Sequence, residues 1–337
     1  MILKKTAIIV CVSAAMICGA IALSMRLTEA KELEMEVSNP KEEITEEEQT
    51  KVYSEGENIP LYYDEEDMLL LPVRNVAQGL GGTVTWDRES RSTIISYKGK
   101  KLILSTGSTK AQMHGYNITL PTDPEMINGC LYAEASVLSD FFSIEVHWNS
   151  EKKQISLKTK DGSTPIVAND ILLGKNEEKE YSLEIPVIMG LNDVRYEKGL
   201  NKEIRQAIQS LADEFMVEEG QSVFHLQIEK GFVNGDFLSL CWKGSKGERP
   251  FYKTINIDFR QQKEVNLSDI LTENAVQELK KSGDLIDSSI FYISQQKELV
   301  ILDSTKAELL PILLPANGDL LEGQWNTKYQ SLFCGDI

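Results

Sequence analysis

Leu70-Leu71-Pro72-Val73-Arg74-Asn75-Val76-Ala77-Gln78-Gly79-Leu80-Gly81-Gly82-Thr83-Val84-Thr85-Trp86-Asp87 is the stretch that decides the first half of the fold. Val73, Val76, Ala77 and Leu80 recur at three- and four-residue spacing, an apolar stripe on one face of a short helix. Gly81-Gly82 stops that helix, because glycine takes the left-handed cap conformation at little steric cost. Val84 and Trp86 then alternate on a strand, Asp87-Arg88-Glu89-Ser90 turns the chain, and Thr93 to Tyr97 returns. The order recurs 62 residues later, from Tyr132 to Asn149. Val76 meets Leu138, Leu80 meets Phe142, Val84 meets Val146, Trp86 meets Trp148 and Asp87 meets Asn149. In the second copy Asn149-Ser150-Glu151-Lys152 turns, and Gln154 to Leu157 returns. One supersecondary unit is thus used twice. The matched place of Trp86 and Trp148 after an alternating valine makes both core residues of their repeats; a carbohydrate-stacking pair is the rival reading.

The run LPVRNVAQGLGGTVTWDRESRSTIISY, residues 71–97, resembles the repeat of the copper amine oxidase N-terminal-like domain, also called a stalk domain. The resemblance extends over about Asn58 to Lys160. It implies a two-repeat helix/β-hairpin module, accessory rather than catalytic. The second copy departs from the pattern: Glu134 stands in place of Pro, Ser136 in place of Arg and Ser143 in place of Gly. Copper chemistry needs several histidine ligands. The chain has three histidines, His114, His147 and His225, far apart in sequence, so no cofactor and no metal site are expected.

Working toward the C-terminus, residues 161–180 read as a linker, with Gly162-Ser163-Thr164-Pro165 and a charged run from Lys175 to Glu180. A second domain is expected over 181–337. Leu183, Ile185 and Val187 alternate on a strand, and Leu200, Ile204, Ala207, Ile208, Leu211 and Phe215 form one face of a helix with Asn201 as its N-cap. Strands over Val223–Glu229, Asp236–Trp242 and Phe251–Phe259 follow, the first two joined by the hairpin signal Asn234-Gly235. A second helix opens near Asn266, and a hairpin over 289–302 turns at Gln295-Gln296-Lys297. The expected class is α+β, with an antiparallel sheet and helices on one face. This order, with Ile185-Pro186, Leu200-Asn201, EVNLSDIL at 264–271 and FYISQQKELVIL at 291–302, resembles the domains of unknown function 3298 and 4163 over about Tyr181 to Pro315. Those occur in lysozyme-sensing anti-sigma factors and in some peptidoglycan deacetylases, so the resemblance implies an extracytoplasmic binding surface. It does not bring a sigma-binding half, since about five residues precede the first hydrophobic run.

That run sits at the other end. Lys4 and Lys5 precede an uncharged stretch from Thr6 to Met25, and Arg26 closes it. Twenty helical residues rise about 30 Å, the thickness of a bilayer core. The positive flank predicts that the bulk of the chain lies outside the cytoplasm. A retained anchor over 1–26 and a cleaved signal peptide both fit, with lipidation at Cys18 a poorer match. Residues 27–57 read as an acidic spacer: Glu29 to Asp67 holds fifteen Asp/Glu and three Lys, a net of −12 within a chain total of −17. That balance excludes a nucleic-acid partner, which needs clustered cations. Five cysteines occur with no CxxC, so neither a zinc site nor a dithiol redox motif is indicated; a Cys241–Cys334 bridge stays open.

No G-x-S-x-G elbow, HExxH or phosphate loop is present. His225 points away from the apolar face made by Phe224, Leu226 and Ile228, and with Trp242 and Trp325 it completes the set of candidate ligand contacts. The sequence therefore predicts a non-catalytic cell-envelope binding protein whose partner is wall glycan, a lysozyme-like hydrolase or another envelope protein. A structural scaffold and a wall-modifying hydrolase are the alternatives.

Overall fold

A computed structural model describes residues 50–54, 62–63, 68–149, 154–160, 164–220, 222–283, 285–286, 289–303, 312–314 and 329. The expected membrane segment over 1–26 lies outside the described residues, as does most of the expected spacer. No helix among the described residues is long and apolar enough to cross a membrane. The fold is α+β, mostly sheet.

The chain opens with β1 (Thr50–Ser54) and β2 (Tyr62–Tyr63). The first repeat is β3 (Leu69–Pro72), α1 (Val73–Gly79), β4 (Thr83–Asp87) and β5 (Ser92–Tyr97). Four short strands follow: β6 (Lys100–Leu104), β7 (Lys110–Met113), β8 (Tyr116–Thr119) and β9 (Glu125–Ile127). The second repeat is β10 (Cys130–Glu134), α2 (Ala135–Phe142), β11 (Ile144–Asn149) and β12 (Gln154–Thr159). Each copy is thus strand, helix, strand, strand. The strand before each helix escaped the sequence reading, and it is the one that joins the copies. β3 and β10 pair antiparallel with Leu71 opposite Ala133. Those two positions are repeat equivalents, so the pairing relates the copies by a local two-fold.

Gly82 explains the tight helix-to-strand corner. A Cβ there would stand 3.1 Å from the Ala77 and Ser96 carbonyl oxygens, so a side chain would push the strand off the helix. α1 and α2 bury Val76, Leu138, Phe141 and Phe142 against Ile95, Leu102 and Ile144. β1 pairs with β12, so Thr50–Ser54 is sheet rather than spacer. It edges the second copy as β6 edges the first.

The expected linker is also sheet. β13 (Ile166–Lys175) pairs antiparallel along its whole length with β14 (Glu180–Met189), and Asn176 to Lys179 forms the turn. A ten-residue ladder supplies the main-chain hydrogen bonds that a linker would leave to water. α3 (Val194–Val217) then crosses over to β15 (Val223–Val233), which lies parallel to β14. The sheet is therefore mixed, because a helix between two adjacent strands returns the chain in the same direction. β16 (Phe237–Lys246), β17 (Arg249–Asp258) and β18 (Lys263–Glu264) complete its six strands by antiparallel pairing. α3 is capped by Asp193, whose carboxylate accepts from the Arg195 and Tyr196 N–H groups. Asn201, expected at the cap, lies buried inside the helix. It exchanges two hydrogen bonds with the main chain of Ile188, 2.8 and 2.7 Å, and so ties α3 to β14.

The helices do not share one face. Leu238, Leu240 and Trp242 of β16 pack on the α3 side. Phe237, on the other side, belongs to a core with Ile270 and Ala275, from α4 (Leu267–Ile270) and α5 (Glu273–Ser282). That core also takes in the hairpin of β19 (Ser289–Ile293) and β20 (Leu299–Asp303), with β21 (Ile312–Leu314) at its edge. Buried Ser239 and Asn256 pin the hairpin: Asn256 Nδ2 donates to the Phe291 carbonyl at 3.0 Å, and the Ile293 N–H donates to Ser239 Oγ at 2.7 Å.

The described residues belong to one compact unit. Val187 and Met189 of β14 are buried in the core of the repeat half. Polar groups close the seam. Glu197 accepts from the Gly190 and Leu191 N–H groups at 2.7 and 2.9 Å and from the Tyr116 hydroxyl at 2.8 Å. Asp170 of β13, 7% exposed, takes Arg205 of α3 at 2.6 Å and Lys110 of β7 at 3.4 Å.

Candidate functional site

Trp86 is 54% exposed, against the expectation that it fills the core. The reason is length. α1 has seven residues and rises about 10 Å, whereas the five residues of β4 span about 17 Å. The helix half-covers Val84, and the strand carries Trp86 beyond it. The indole lines a groove of about 320 Å³ between β4 and the β9–β10 turn. Val73, fully buried at the start of α1, and Leu131 of β10 form its floor. Met126, also 54% exposed, faces the groove from β9, and Cys130 stands on its rim with an exposed free thiol. Arg74, on the exposed side of the first turn of α1, is the one charged lining residue among the described residues. No ion pair or hydrogen bond among the described residues engages it. Thr106 adds polar rim, whereas the Thr85 hydroxyl donates to the Ile94 carbonyl at 3.5 Å on the other face of β4.

Two other concavities are larger but internally satisfied. One, about 660 Å³, lies on the outer face of the five-stranded sheet β4–β8, over Ile94 and Ile103. Its polar groups bond to one another: Gln112 donates to Asn117 at 3.1 Å, and Lys110 is held by Thr119 and Asp170. The second, about 500 Å³, lies between α2, β12 and β13, where Lys160 donates to Ser139 at 3.3 Å. A ligand at either place would have to break existing bonds, which the Trp86 groove does not require.

Of the candidate contacts named from sequence, Trp242 and His225 do not come together. Trp242 is 1% exposed, and its Nε1 donates to the Glu184 carbonyl at 2.9 Å. It is a core residue, because alternation along β16 sends it to the α3 side with Leu238 and Leu240. His225 lies on the opposite face of the sheet, half-buried, across from Ser245 and beside Ser182. Its neighbours along that face are Gln227 and a Glu229–Lys243 ion pair. Trp325 lies outside the described residues, as does the side chain of Trp148. Cys241 is buried with a free thiol that burial pushes up to about 12, so it is unreactive.

Copper does not fit the histidines. His114 occupies the β7–β8 turn at φ +53°, with Nε2 buried and unpartnered and its ring 5.8 Å from that of Phe141. Burial, with Lys100 nearby, pushes it down to about 4, so it is neutral. His147 pairs with Glu145 at 3.2 Å, and His225 is on β15. No group of three or more potential ligands gathers among the described residues. The residues missed from sequence are Arg74, Met126 and the exposed state of Trp86; the Pro-Val-Arg motif was the available signal.

Residues 49–157 match the family model of the copper amine oxidase N-terminal domain. The match spans about a third of the chain, and the groove lies wholly within it. Among solved structures, a member of the domain-of-unknown-function 3298 family from Bacteroides fragilis is 11% identical with a TM-score of 0.34, covering 49% of this chain and 93% of its own. A protein of the same family from Pseudomonas aeruginosa is 16% identical with a TM-score of 0.28, covering 51% and 96%. No curated protein matches the chain.

Proposed function

We propose that this chain is a non-catalytic binding protein of the cell envelope, held outside the cytoplasmic membrane by its N-terminal hydrophobic run or released after that run is cleaved. The repeat half carries the binding surface, and the Trp86 groove is the contact. One observation carries the assignment: an exposed indole and an exposed thioether over an apolar floor, beside an unpaired guanidinium. Large exposed apolar side chains gathered in a concavity are characteristic of ligand contacts. The Lys4–Lys5 flank and the uncharged stretch to Met25 support an extracytoplasmic location, where wall glycan is abundant.

A pull-down of the full chain on purified peptidoglycan sacculi tests this. Wild-type protein is expected to bind saturably and Trp86→Ala to weaken binding about tenfold or more, the loss expected for an aromatic anchor. Unchanged binding by Trp86→Ala, or no binding by wild type, refutes the assignment. The half-buried polar patch of His225, Ser182 and Ser245 favours a second reading, capture of an envelope protein; that reading gains if Trp86→Ala binds normally and His225→Ala does not.

A further inference from the structure

We propose that the Trp86 groove selects a glycan bearing a free carboxylate on the sugar, with Arg74 as the group that reads the charge. The inference rests on the groove being the binding site and adds the chemistry of what it takes.

The groove has two parts with different demands. The Trp86 indole and Met126 side chain offer an apolar wall. An aromatic face carries partial negative charge, so it attracts the weakly positive C–H face of a pyranose ring, and its flatness suits a ring more than a branched aliphatic chain. Thr106 stands at the rim with a hydroxyl that both donates and accepts, as ring hydroxyls and acetamido groups require. Arg74 is the second part. The chain is strongly acidic, yet among the described residues no carboxylate lines this groove, and Arg74 is its one charged group. A guanidinium left unpaired beside an indole is complementary to an anion held next to a ring. Its planar fork matches a carboxylate in two parallel hydrogen bonds, and one guanidinium balances one carboxylate. In the second repeat Ser136 stands at the equivalent position, so charge reading belongs to the first copy alone.

The test uses the full chain in a non-glycosidic detergent, with calorimetric titration against two probes. One is an oligosaccharide of alternating N-acetylglucosamine and N-acetylmuramic acid with free lactyl carboxylates. The other is a chito-oligosaccharide of equal length, neutral and otherwise alike. Wild type is expected to bind the carboxylated probe about tenfold more tightly, with the preference shrinking as NaCl is raised. Arg74→Gln brings the affinity for the carboxylated probe down to that for the neutral one, and Arg74→Lys retains part of the preference. Trp86→Ala weakens both. Equal binding of the probes by wild type, or an Arg74→Gln variant that keeps the preference, overturns this inference while Trp86 dependence still supports the groove as the site. Tighter binding of an acidic extended peptide than of either sugar overturns it in favour of a peptide ligand. If Trp86→Ala changes nothing, the site assignment falls and the inference with it. Arg74 is exposed, and unaltered thermal midpoints of its variants exclude misfolding as the cause.

Discussion

Truncating Glu197 should cost more than any ordinary exposed carboxylate, because its side chain serves three donors from two parts of the fold. Two are the main-chain N–H groups of Gly190 and Leu191 on the loop entering α3; the third is the Tyr116 hydroxyl on β8. Each bond contributes about 1 kcal/mol net, so Glu197→Ala should destabilise by about 3 kcal/mol, with water reaching the half-exposed loop and trimming that figure. Tyr116→Phe should cost about 1–2 kcal/mol, since it removes the Glu197 bond and a hydroxyl contact with Asn201. In the double variant the Tyr116 contribution has already been lost, so the cycle should return a coupling of about 1 kcal/mol. The assay is urea unfolding of the four proteins, followed by both tryptophan fluorescence and circular dichroism. A single transition by both probes is expected, because Val187 and Met189 place the repeat half and the mixed sheet in one core. Additivity within about 0.3 kcal/mol would refute the bond across the seam. Two separated transitions would refute the shared core.

Other outcomes follow from particular contacts. Trp242→Phe should lower stability through the lost Glu184 bond and the smaller ring, by about 1–3 kcal/mol in chemical denaturation, while leaving ligand affinity unchanged. Gly231→Ala should impair folding, seen as lost soluble yield, because its Cβ would run into the Ser239 and Ile293 carbonyl oxygens, which are main chain and cannot swing away. His114 is held below its ordinary value of 6.5 by burial, so the unfolded chain binds its proton first. Its contribution is complete above pH 6.5 and is lost as pH falls toward about 4; His114→Asn, which tolerates the left-handed backbone, should flatten that part of a stability–pH curve. For Asp170 burial opposes ionisation, but the Arg205 bond, the Ile171 N–H and Lys110 together hold its carboxyl below the usual 3.8. Its stabilisation is present above that value and is lost as pH falls through the lower folded value, so Asp170→Asn should be less stable at pH 7 and lose less on acidification.

What could be read in the sequence was whatever local spacing encodes. The repeat was legible because helix stripe, Gly-Gly stop and Val-x-Trp alternation are all short-range patterns, and Asn234-Gly235 marked its hairpin for the same reason. The exposure of Trp86 was not legible. Alternation gives the face of a strand but not where the covering helix ends. β13 was missed because Asp170 and Gly174 interrupt its apolar pattern. The buried Asp170 is tolerable only because Lys110 and Arg205 arrive from distant elements. Asn201 looked like a cap because a buried asparagine inside a helix requires a partner, and that partner, the main chain of Ile188, is supplied by tertiary packing. The mixed sheet was implicit in the order strand, long helix, strand, which favours a parallel return. Arg74 could be read as a motif residue, but its lack of a partner is a fact of three dimensions.

Hydrogen exchange with and without solubilised peptidoglycan glycan tests the central claim most directly. The groove assignment predicts slowed exchange confined to residues 83–87 and 125–131, abolished in Trp86→Ala. Protection around His225 with none along β4, or no protection anywhere at saturating glycan, would contradict it.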